Sequence, residues 1–184
     1  MNKNIFHVFV MSVLCCLLTT AALTSLLLPV CKDISEADPI NVTYESCIST
    51  LGSDPRSLTS TAPQLATISF KLSITSAKAI NSTIGTILNL NITGPIGENV
   101  LEDCQGIYSR VPGDLEAGLE AIKAGDFDTA TSARVSAAIN AATTCGNKIK
   151  ERVGEIDPLR KKINDFHQLD AISFGFIKLL RIIN

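Results

Sequence analysis

The stretch ENVLEDCQGIYSRVPGDLEAGLEAIKAGDFDTATSARVSAAINAATTCGNK, residues 98–148, predicts two amphipathic helices joined by a short turn. Apolar residues recur every three or four positions on both sides of Ala124-Gly125-Asp126, which places them on one face of each helix. Gly125 suits the end of the first helix, and Asp126 suits the cap of the second. Cys104 lies 21 residues before Gly125, and Cys145 lies 20 residues after it. At about 1.5 Å per residue both cysteines lie about 30 Å from the turn, so an antiparallel hairpin sets them side by side, within reach of a disulfide.

The cysteines predict two disulfides in an oxidising compartment. Of the six in the chain, Cys15 and Cys16 fall in an apolar N-terminal run, and the other four form an even set that allows three pairings in principle. Local geometry favours Cys31–Cys47, with Pro39 midway between them, and Cys104–Cys145. A metal site is not predicted, because the spacings are wide, no CxxC motif occurs and a single His follows the apolar run.

Residues 1–25 predict a secretory signal peptide that is cleaved at about position 22–28. Lys3 precedes a mostly apolar run that extends to Val30, and small residues at Thr20 and Ala22 permit cleavage after Ala22. A membrane anchor is the alternative, since the run is long enough to span a bilayer. Thr19, Thr20, Thr24 and Ser25 interrupt the run and no basic cluster follows it, which favours the signal peptide.

Residues 26–184 predict one all-α domain, an antiparallel four-helix bundle with an N-terminal helical-hairpin extension. The hairpin occupies residues 31–51 and a Ser/Thr-rich connection occupies 56–63. The first bundle helix is expected at about 64–90, and Pro112 is expected to kink the second without breaking its period. After the third helix, residues 146–157 read as a charged connection, and the last helix runs from Pro158 to about Ile183.

The sequence offers little chemistry. The net charge is −2, and removal of a leader that contains Lys3 makes it −3 without a basic stripe, so a nucleic-acid partner is not expected. His167 is not accompanied by a GxSxG motif or an equivalent nucleophile motif. Asp126 and Asp128 lie at a predicted helix start, where helix capping explains them better than acid/base catalysis. No catalytic residue and no cofactor is predicted. An apolar-ligand carrier remains an alternative function, although Leu and Ile fill the apolar stripes.

Three sequons predict glycosylation of a secreted protein: Asn41, Asn81 and Asn91. Asn91 precedes Gly94-Pro95 at an expected helix end, so it is expected to be the most accessible of the three.

Several short segments together resemble the plant invertase/pectin methylesterase inhibitor family. They are Leu51-Gly52-Ser53-Asp54-Pro55-Arg56-Ser57, Leu101-x-x-Cys104-x-x-x-Tyr108, Ala124-Gly125-Asp126-Phe127, Val135-Ser136-Ala137-Ala138 and Ala171-Ile172-Ser173, with the four cysteines in register. The resemblance covers essentially the whole chain after the leader. It implies a four-helix bundle with a hairpin extension and the same two disulfides. It also implies no enzyme activity, but one-to-one inhibition of a cell-wall or vacuolar carbohydrate enzyme. The chain is expected to be a monomer that is secreted to the apoplast or cell wall.

The resemblance leaves the target open between a pectin methylesterase and an acid invertase. Invertase inhibitors of the family often carry Pro-Lys-Phe after the Gly-Asp of the third bundle helix, whereas this chain has Gly125-Asp126-Phe127-Asp128. The Val135–Ala138 run resembles the pectin methylesterase inhibitors, and the Asp54–Ser57 segment resembles a pollen-type branch of invertase inhibitors. A propiece of a longer pectin methylesterase chain is a further alternative.

A protein inhibitor without chemistry is expected to cover a substrate cleft with the polar faces of its middle helices, around residues 105–140. Phe127, Asp126 and Asp128 are the candidate partner-binding residues, with Phe127 as an apolar anchor next to the turn. The alternative for Phe127 is that it is the first core residue of the third helix.

Overall fold

The computed structural model describes residues 25–152 and 157–183, and every regular element in these ranges is helical. An N-terminal hairpin consists of α1 (Leu27–Ala37) and α2 (Tyr44–Gly52), followed by a 3-10 helix (Pro55–Thr59). The bundle consists of α3 (Ala62–Asn89), α4 (Gly94–Tyr108), α5 (Val111–Lys123), a single turn α6 (Phe127–Thr129) with a π-helical segment (Ala130–Val135), α7 (Ser136–Arg152) and α8 (Asp157–Ile183). The all-α bundle predicted from the sequence is confirmed. The expected signal peptide, residues 1–25, lies almost entirely outside the described residues.

Four helical rods surround the core: α3, α4 with α5, α6 to α7, and α8. Leu65, Ile84, Leu101, Phe166 and Phe176 are among the fully buried side chains between them. Each rod presents an apolar face to its neighbours at the period of an α-helix, so burial of apolar area is the dominant stabilising term.

The N-terminal hairpin packs on the bundle at a position that only glycine allows. A Cβ atom built on Gly175 of α8 would lie 2.6 Å from Cγ2 of Ile34 in α1. Ile34 is buried, and the hairpin is closed by Cys31–Cys47 with 5.5 Å between the Cα atoms. The helix of Cys31 begins four residues earlier than the sequence indicated, because Leu27 and Val30 are buried on the face that carries Cys31.

Side-chain caps fix the starts of α2 and α3. The Ser46 amide donates to the Thr43 hydroxyl at 3.1 Å, and the Thr43 amide donates to the Ser46 hydroxyl at 3.1 Å. Thr61 donates its amide to Gln64 Oε1 at 2.8 Å. These reciprocal bonds satisfy amides that have no partner within the helix.

The Asp54–Ser57 segment is a small structural unit, and its part of the predicted 56–63 connection is helical. Asp54 accepts the Arg56 amide at 3.0 Å and also holds the Arg56 guanidinium in an ion pair. The hydrogen bonds and charge of Arg56 lower the pKa of Asp54 to about 2. Ser57 is fully buried, so the motif anchors the link between hairpin and bundle.

The second rod is interrupted rather than kinked at Pro112. Helix α4 ends at Tyr108 and α5 begins at Val111, with Ser109 and Arg110 between them in helical backbone conformation. Pro112 lies in the first turn of α5, where its missing amide costs nothing. The chain therefore uses the proline to start a helix, and the apolar period passes through the interruption.

Two other expectations for the third rod are wrong. The charged run after Gly146 continues α7 as far as Arg152, because Lys, Glu and Arg are good helix formers and one glycine does not end a helix. The start of the rod is not a regular α-helix either. It widens into the π-helical segment Ala130–Val135, where the Thr131 hydroxyl competes for a backbone carbonyl by donating to Phe127 O.

The central disulfide joins α4 to α7, as the hairpin arithmetic from Gly125 predicted. The Cα atoms of Cys104 and Cys145 lie 5.6 Å apart, and both residues are fully buried. The bond therefore fixes the register of the second rod against the third.

Candidate functional site at one end of the bundle

The turn between the second and third rods forms the bundle tip, defined here as residues 124–128. The Gly125 amide donates to Ile122 O at 3.0 Å, and the Asp126 amide donates to Ala121 O at 2.9 Å. This pair of bonds is the Schellman motif, which requires the residue at Gly125 to have positive φ; the observed φ is 75°. The tip is therefore a defined, hydrogen-bonded structure.

Asp126 caps the helix that follows the turn. Its Oδ1 accepts the Thr129 amide at 3.0 Å. Hydrogen bonds from Thr129 hold the pKa of the exposed Asp126 carboxyl below its usual range. The carboxylate therefore keeps its negative charge to lower pH than an ordinary Asp side chain, and it places this charge on the tip.

Arg181, near the end of α8, is hydrogen-bonded to the bundle tip and to the residue that begins the next turn. Arg181 Nη2 donates to Asp128 Oδ1 at 2.6 Å, to Phe127 O at 3.2 Å and to Thr131 Oγ1 at 3.1 Å. One guanidinium thus holds three acceptors at the junction of the turn and the π-helical segment. The sequence placed Arg181 in the last turn of the final helix, but its contact with the tip depends on the bundle's topology and could not be read from the sequence.

Phe127 combines features of both roles expected for it. Its side chain is half-buried and packs against the core, while its neighbours Asp126 and Asp128 are exposed, the latter with 92% of its side-chain area accessible. Protein–protein interfaces commonly have an apolar centre and a polar rim, and an aromatic ring between two exposed carboxylates has the same arrangement on a small scale. The structure therefore brings the three predicted partner-binding residues to one exposed position.

The three sequons lie in different environments. Asn91 is exposed in the turn between α3 and α4, where it has φ of 50°. Asn41 lies in the hairpin turn and donates its Nδ2 to both carboxylate oxygens of Asp38, at 3.0 and 3.1 Å. Asn81 lies within α3, and its Oδ1 is buried without a hydrogen-bond partner among the described residues. Accessibility thus favours Asn91 as the glycan carrier.

A buried polar cluster in the core was missed by the sequence analysis. Asp170 is fully buried on α8, and neither carboxyl oxygen makes a hydrogen bond of standard geometry within the described part of the chain. Burial raises the pKa of Asp170 well above its usual range, with a small opposing effect from Ser73. Burial, and then the charge of Asp170, raise the pKa of Tyr108. The signal was present in the sequence, since Asp170 falls on the apolar stripe of the last helix.

The described residues contain no group of three or more His, Cys, Asp and Glu side chains arranged to hold a metal ion. None of the helices within 25–152 and 157–183 is both long and apolar enough to cross a bilayer. His167 is half-buried in a groove between α7 and α8, about 20 Å along the helix axis from Arg181.

Comparison with known proteins assigns these features to a family. The family model described as "Plant invertase/pectin methylesterase inhibitor" matches residues 26–174. A "putative invertase inhibitor" of Platanus acerifolia is 34% identical over 150 residues, which cover 82% of this chain and 82% of that protein. Its counterpart from Platanus orientalis is 33% identical over 150 residues, covering 82% of this chain and 86% of the relative.

Two Arabidopsis proteins extend the comparison. The "cell wall / vacuolar inhibitor of fructosidase 2" of Arabidopsis thaliana is 28% identical over 139 residues, covering 74% of this chain and 77% of that protein. A crystal structure of a mutant form of a pectin methylesterase inhibitor from Arabidopsis superposes with a TM-score of 0.68 and 19% identity, over 80% of this chain and 96% of that chain. The structural match shows that the fold is shared.

Proposed function

Because the chain belongs to the plant invertase/pectin methylesterase inhibitor family, we propose that it inhibits a plant carbohydrate enzyme by covering the active-site cleft one-to-one. The family match over residues 26–174 is the observation that carries this proposal, since the family consists of enzyme inhibitors. A specific complex of this kind buries about 1,600 Å² of total surface. Residues 105–140, which include the bundle tip, would supply such a surface through their polar faces.

The first candidate target is an acid invertase. The relatives named as invertase or fructosidase inhibitors support it, at 34%, 33% and 28% identity. Glycosidases work with a pair of carboxyl groups at the scissile bond. The charge of Asp128 is balanced by Arg181, but the exposed carboxylate of Asp126 would be repelled by such a pair, so the tip contacts the rim of the cleft and the helix faces cover its opening.

A pectin methylesterase is the second candidate, because the tip of this chain lacks the Pro-Lys that invertase inhibitors often carry. Within the described residues near the turn, Lys123 is paired with Glu120 at 2.7 Å and Arg181 holds Asp128. The tip therefore offers no basic side chain directed at an acidic active site.

Titration of each enzyme with the purified protein tests the proposal. One of the two enzymes should lose activity in proportion to added protein and reach its minimum at a molar ratio of one. Arg110→Glu, in an exposed position within 105–140, should weaken inhibition, while Lys32→Glu on the N-terminal hairpin should not. If neither enzyme loses activity with excess protein at acidic or neutral pH, the proposed function is wrong for both targets.

The proposed function includes secretion to the cell wall. Two disulfides, the apolar N-terminal run and the cell-wall or vacuolar relative support it. Leu27 is 2% exposed, so cleavage before this residue keeps its side chain in the core and falls within the expected window. N-terminal sequencing of the secreted protein tests the position, and a mature chain that begins after Leu27 would contradict this argument.

A further inference from the structure

Three large apolar side chains are exposed at the turn between α3 and α4. They are Leu90, Ile92 and Ile96, with 60%, 65% and 66% of their area accessible, and they are called the turn patch here. Single exposed apolar side chains are ordinary on a protein surface. Here three fall within seven positions, in a stretch (residues 79–97) that contains no charged side chain. The turn patch is therefore a local apolar surface that water solvates poorly.

The turn patch lies at the opposite end of the bundle from the tip. The second rod, α4 with α5, extends from Gly94 beside the patch to Lys123 beside the tip, which corresponds to about 40 Å of helix. Helix α7 returns from the tip to the patch end, where Arg152 lies close to the start of α4. The two surfaces are therefore separate.

Asn91 lies in the middle of the turn patch. It is exposed, it adopts a left-handed backbone conformation with φ of 50°, and it begins the sequon that ends at Thr93. Its neighbours on both sides, Leu90 and Ile92, belong to the patch. A glycan attached to the Asn91 amide therefore starts at the centre of the apolar surface, so its first sugar lies next to patch side chains.

A shallow groove beside the turn patch gives the sugars of such a glycan a place to lie. Its volume is about 450 Å³, within the range of about 300–1,000 Å³ that is typical of small-molecule sites. Pro95 and Ile96 line the groove on the side of α4, and Glu151 and Arg152 line it on the side of α7. A sugar ring can pack its C–H face on the first pair, while Glu151 accepts and Arg152 donates hydrogen bonds to its hydroxyl groups.

We propose that the glycan carried by Asn91 covers the turn patch, with its first N-acetylglucosamine units packed on Ile92 and Ile96. The glycan thereby prevents self-association through this end of the bundle. A protein partner does not suit the patch, because a glycan at its centre stands between the two surfaces. The proposal does not depend on the proposed inhibitory function, because it concerns a different surface and needs no enzyme in its test.

A two-by-two set of proteins secreted from a plant host tests the proposal. Asn91→Gly removes the sequon and accepts a φ of 50° without strain. Ile92→Ser with Ile96→Ser shortens two patch side chains and keeps the sequon. Asn91→Gly alone should associate as its concentration rises and should bind more of the dye ANS, which reports exposed apolar surface. Both proteins that keep the glycan should remain monomeric in analytical ultracentrifugation.

The combination of all three changes separates the cover from the patch beneath it. This variant should again be monomeric, or should need at least about tenfold more protein for half association than Asn91→Gly, because two large apolar side chains have left the contact. Ile40→Ser with Ile182→Ser, added to Asn91→Gly, is the matched control, since it shortens two isoleucines that are exposed elsewhere. The control should not reduce association. If Asn91→Gly is retained in the cell, recovery of secretion is measured on the same pairs.

Three outcomes would overturn the proposal. The first is a secreted wild-type protein without a glycan on Asn91. The second is an Asn91→Gly variant that associates and binds ANS no more than the wild type. The third is equal recovery, or no recovery, with the patch pair and the control pair of serines. All substituted positions are exposed, so the variants are expected to fold, and circular dichroism checks this directly.

Discussion

The carboxyl group of Asp170 couples the stability of the core to pH. In the unfolded chain an Asp ionises near pH 3.9, whereas burial raises the pKa of Asp170 in the folded state. Between these two pKa values the folded state binds more protons than the unfolded state. The free energy of unfolding therefore falls as pH rises through this window, by at most about 1.4 kcal/mol per pH unit from this group. Acidic solution is thus the favourable condition for this core.

Replacement of Asp170 tests the coupling. Asp170→Asn keeps the shape of the neutral acid and removes its titration, so the variant should lose the decline in melting temperature between acidic and neutral pH. Asp33→Asn makes the same change at an exposed position and serves as the control. Thermal unfolding at a series of pH values measures the effect. An unchanged pH dependence in Asp170→Asn would show that other groups are responsible.

Phe127 packs against the core and is also the predicted anchor for a partner. Its ring is half-buried, so Phe127→Ala should lower the free energy of unfolding by about 1–3 kcal/mol, less than for a fully buried Phe. If the ring is also an anchor, inhibition should weaken at temperatures where the variant is folded. Phe174→Ala, which removes another half-buried ring away from the tip, is the matched control. Loss of stability with normal inhibition would leave Phe127 a packing residue only.

Of the three sequons, the one in the turn between α3 and α4 is the most accessible to N-glycosylation. Asn91 is exposed there, while the side chain of Asn81 is partly buried within α3. In a plant expression host, Asn91→Gln should remove a glycan from the secreted protein and Asn81→Gln should leave its mass pattern unchanged. Mass spectrometry before and after enzymatic deglycosylation measures both. A glycan attached to Asn81 would contradict the expectation from burial.

The regular elements of the bundle follow from local signals in the sequence, and the exceptions have physical reasons. Apolar period and caps predicted the long helices and the Gly125 turn, because both depend on residues within a few positions. The π-helical segment after Thr129 could not be predicted, since neighbouring rods decide whether a weak helical sequence stays regular. The extension of α7 to Arg152 was missed because a single glycine was taken for the end of a helix. Pro112 was assigned to a kink because the apolar period continues past it. That period does not distinguish a proline within one helix from a proline at the start of a second helix.

The candidate site was predictable only in part. Phe127, Asp126 and Asp128 were identified because they adjoin a recognisable turn. Arg181 was missed as their partner because it lies more than fifty positions further along the chain and reaches the tip only through the bundle's topology. The groove beside the turn patch was missed for the same reason, since Glu151 and Arg152 lie more than fifty positions after Ile96 and come beside it only in the folded bundle.

For the molecule as a whole, the Cys104–Cys145 bond is expected to be the main covalent contribution to stability. It closes a separation of 41 residues between two rods, so Cys104→Ser with Cys145→Ser should lower the free energy of unfolding by about 2–5 kcal/mol. The Cys31–Cys47 bond closes 16 residues and should contribute about 1 kcal/mol less. Denaturant unfolding of the two double variants measures the difference, and non-reducing peptide mapping checks the pairing. A peptide linking Cys31 to Cys104 would contradict the structure.

The four disulfide-bonded cysteines are fully buried, and this has a consequence for how the two bonds form and how they are reduced. Thiol–disulfide exchange requires a thiolate to reach the sulfur that it attacks. No oxidant, isomerase or glutathione molecule can do so once the helices have closed over the cysteines. Both bonds must therefore form before the helices have closed over the sulfur atoms. In the folded protein, reduction by an external thiol therefore requires the core to open. When the thiol is concentrated enough to react before the core recloses, the rate of reduction equals the rate of opening.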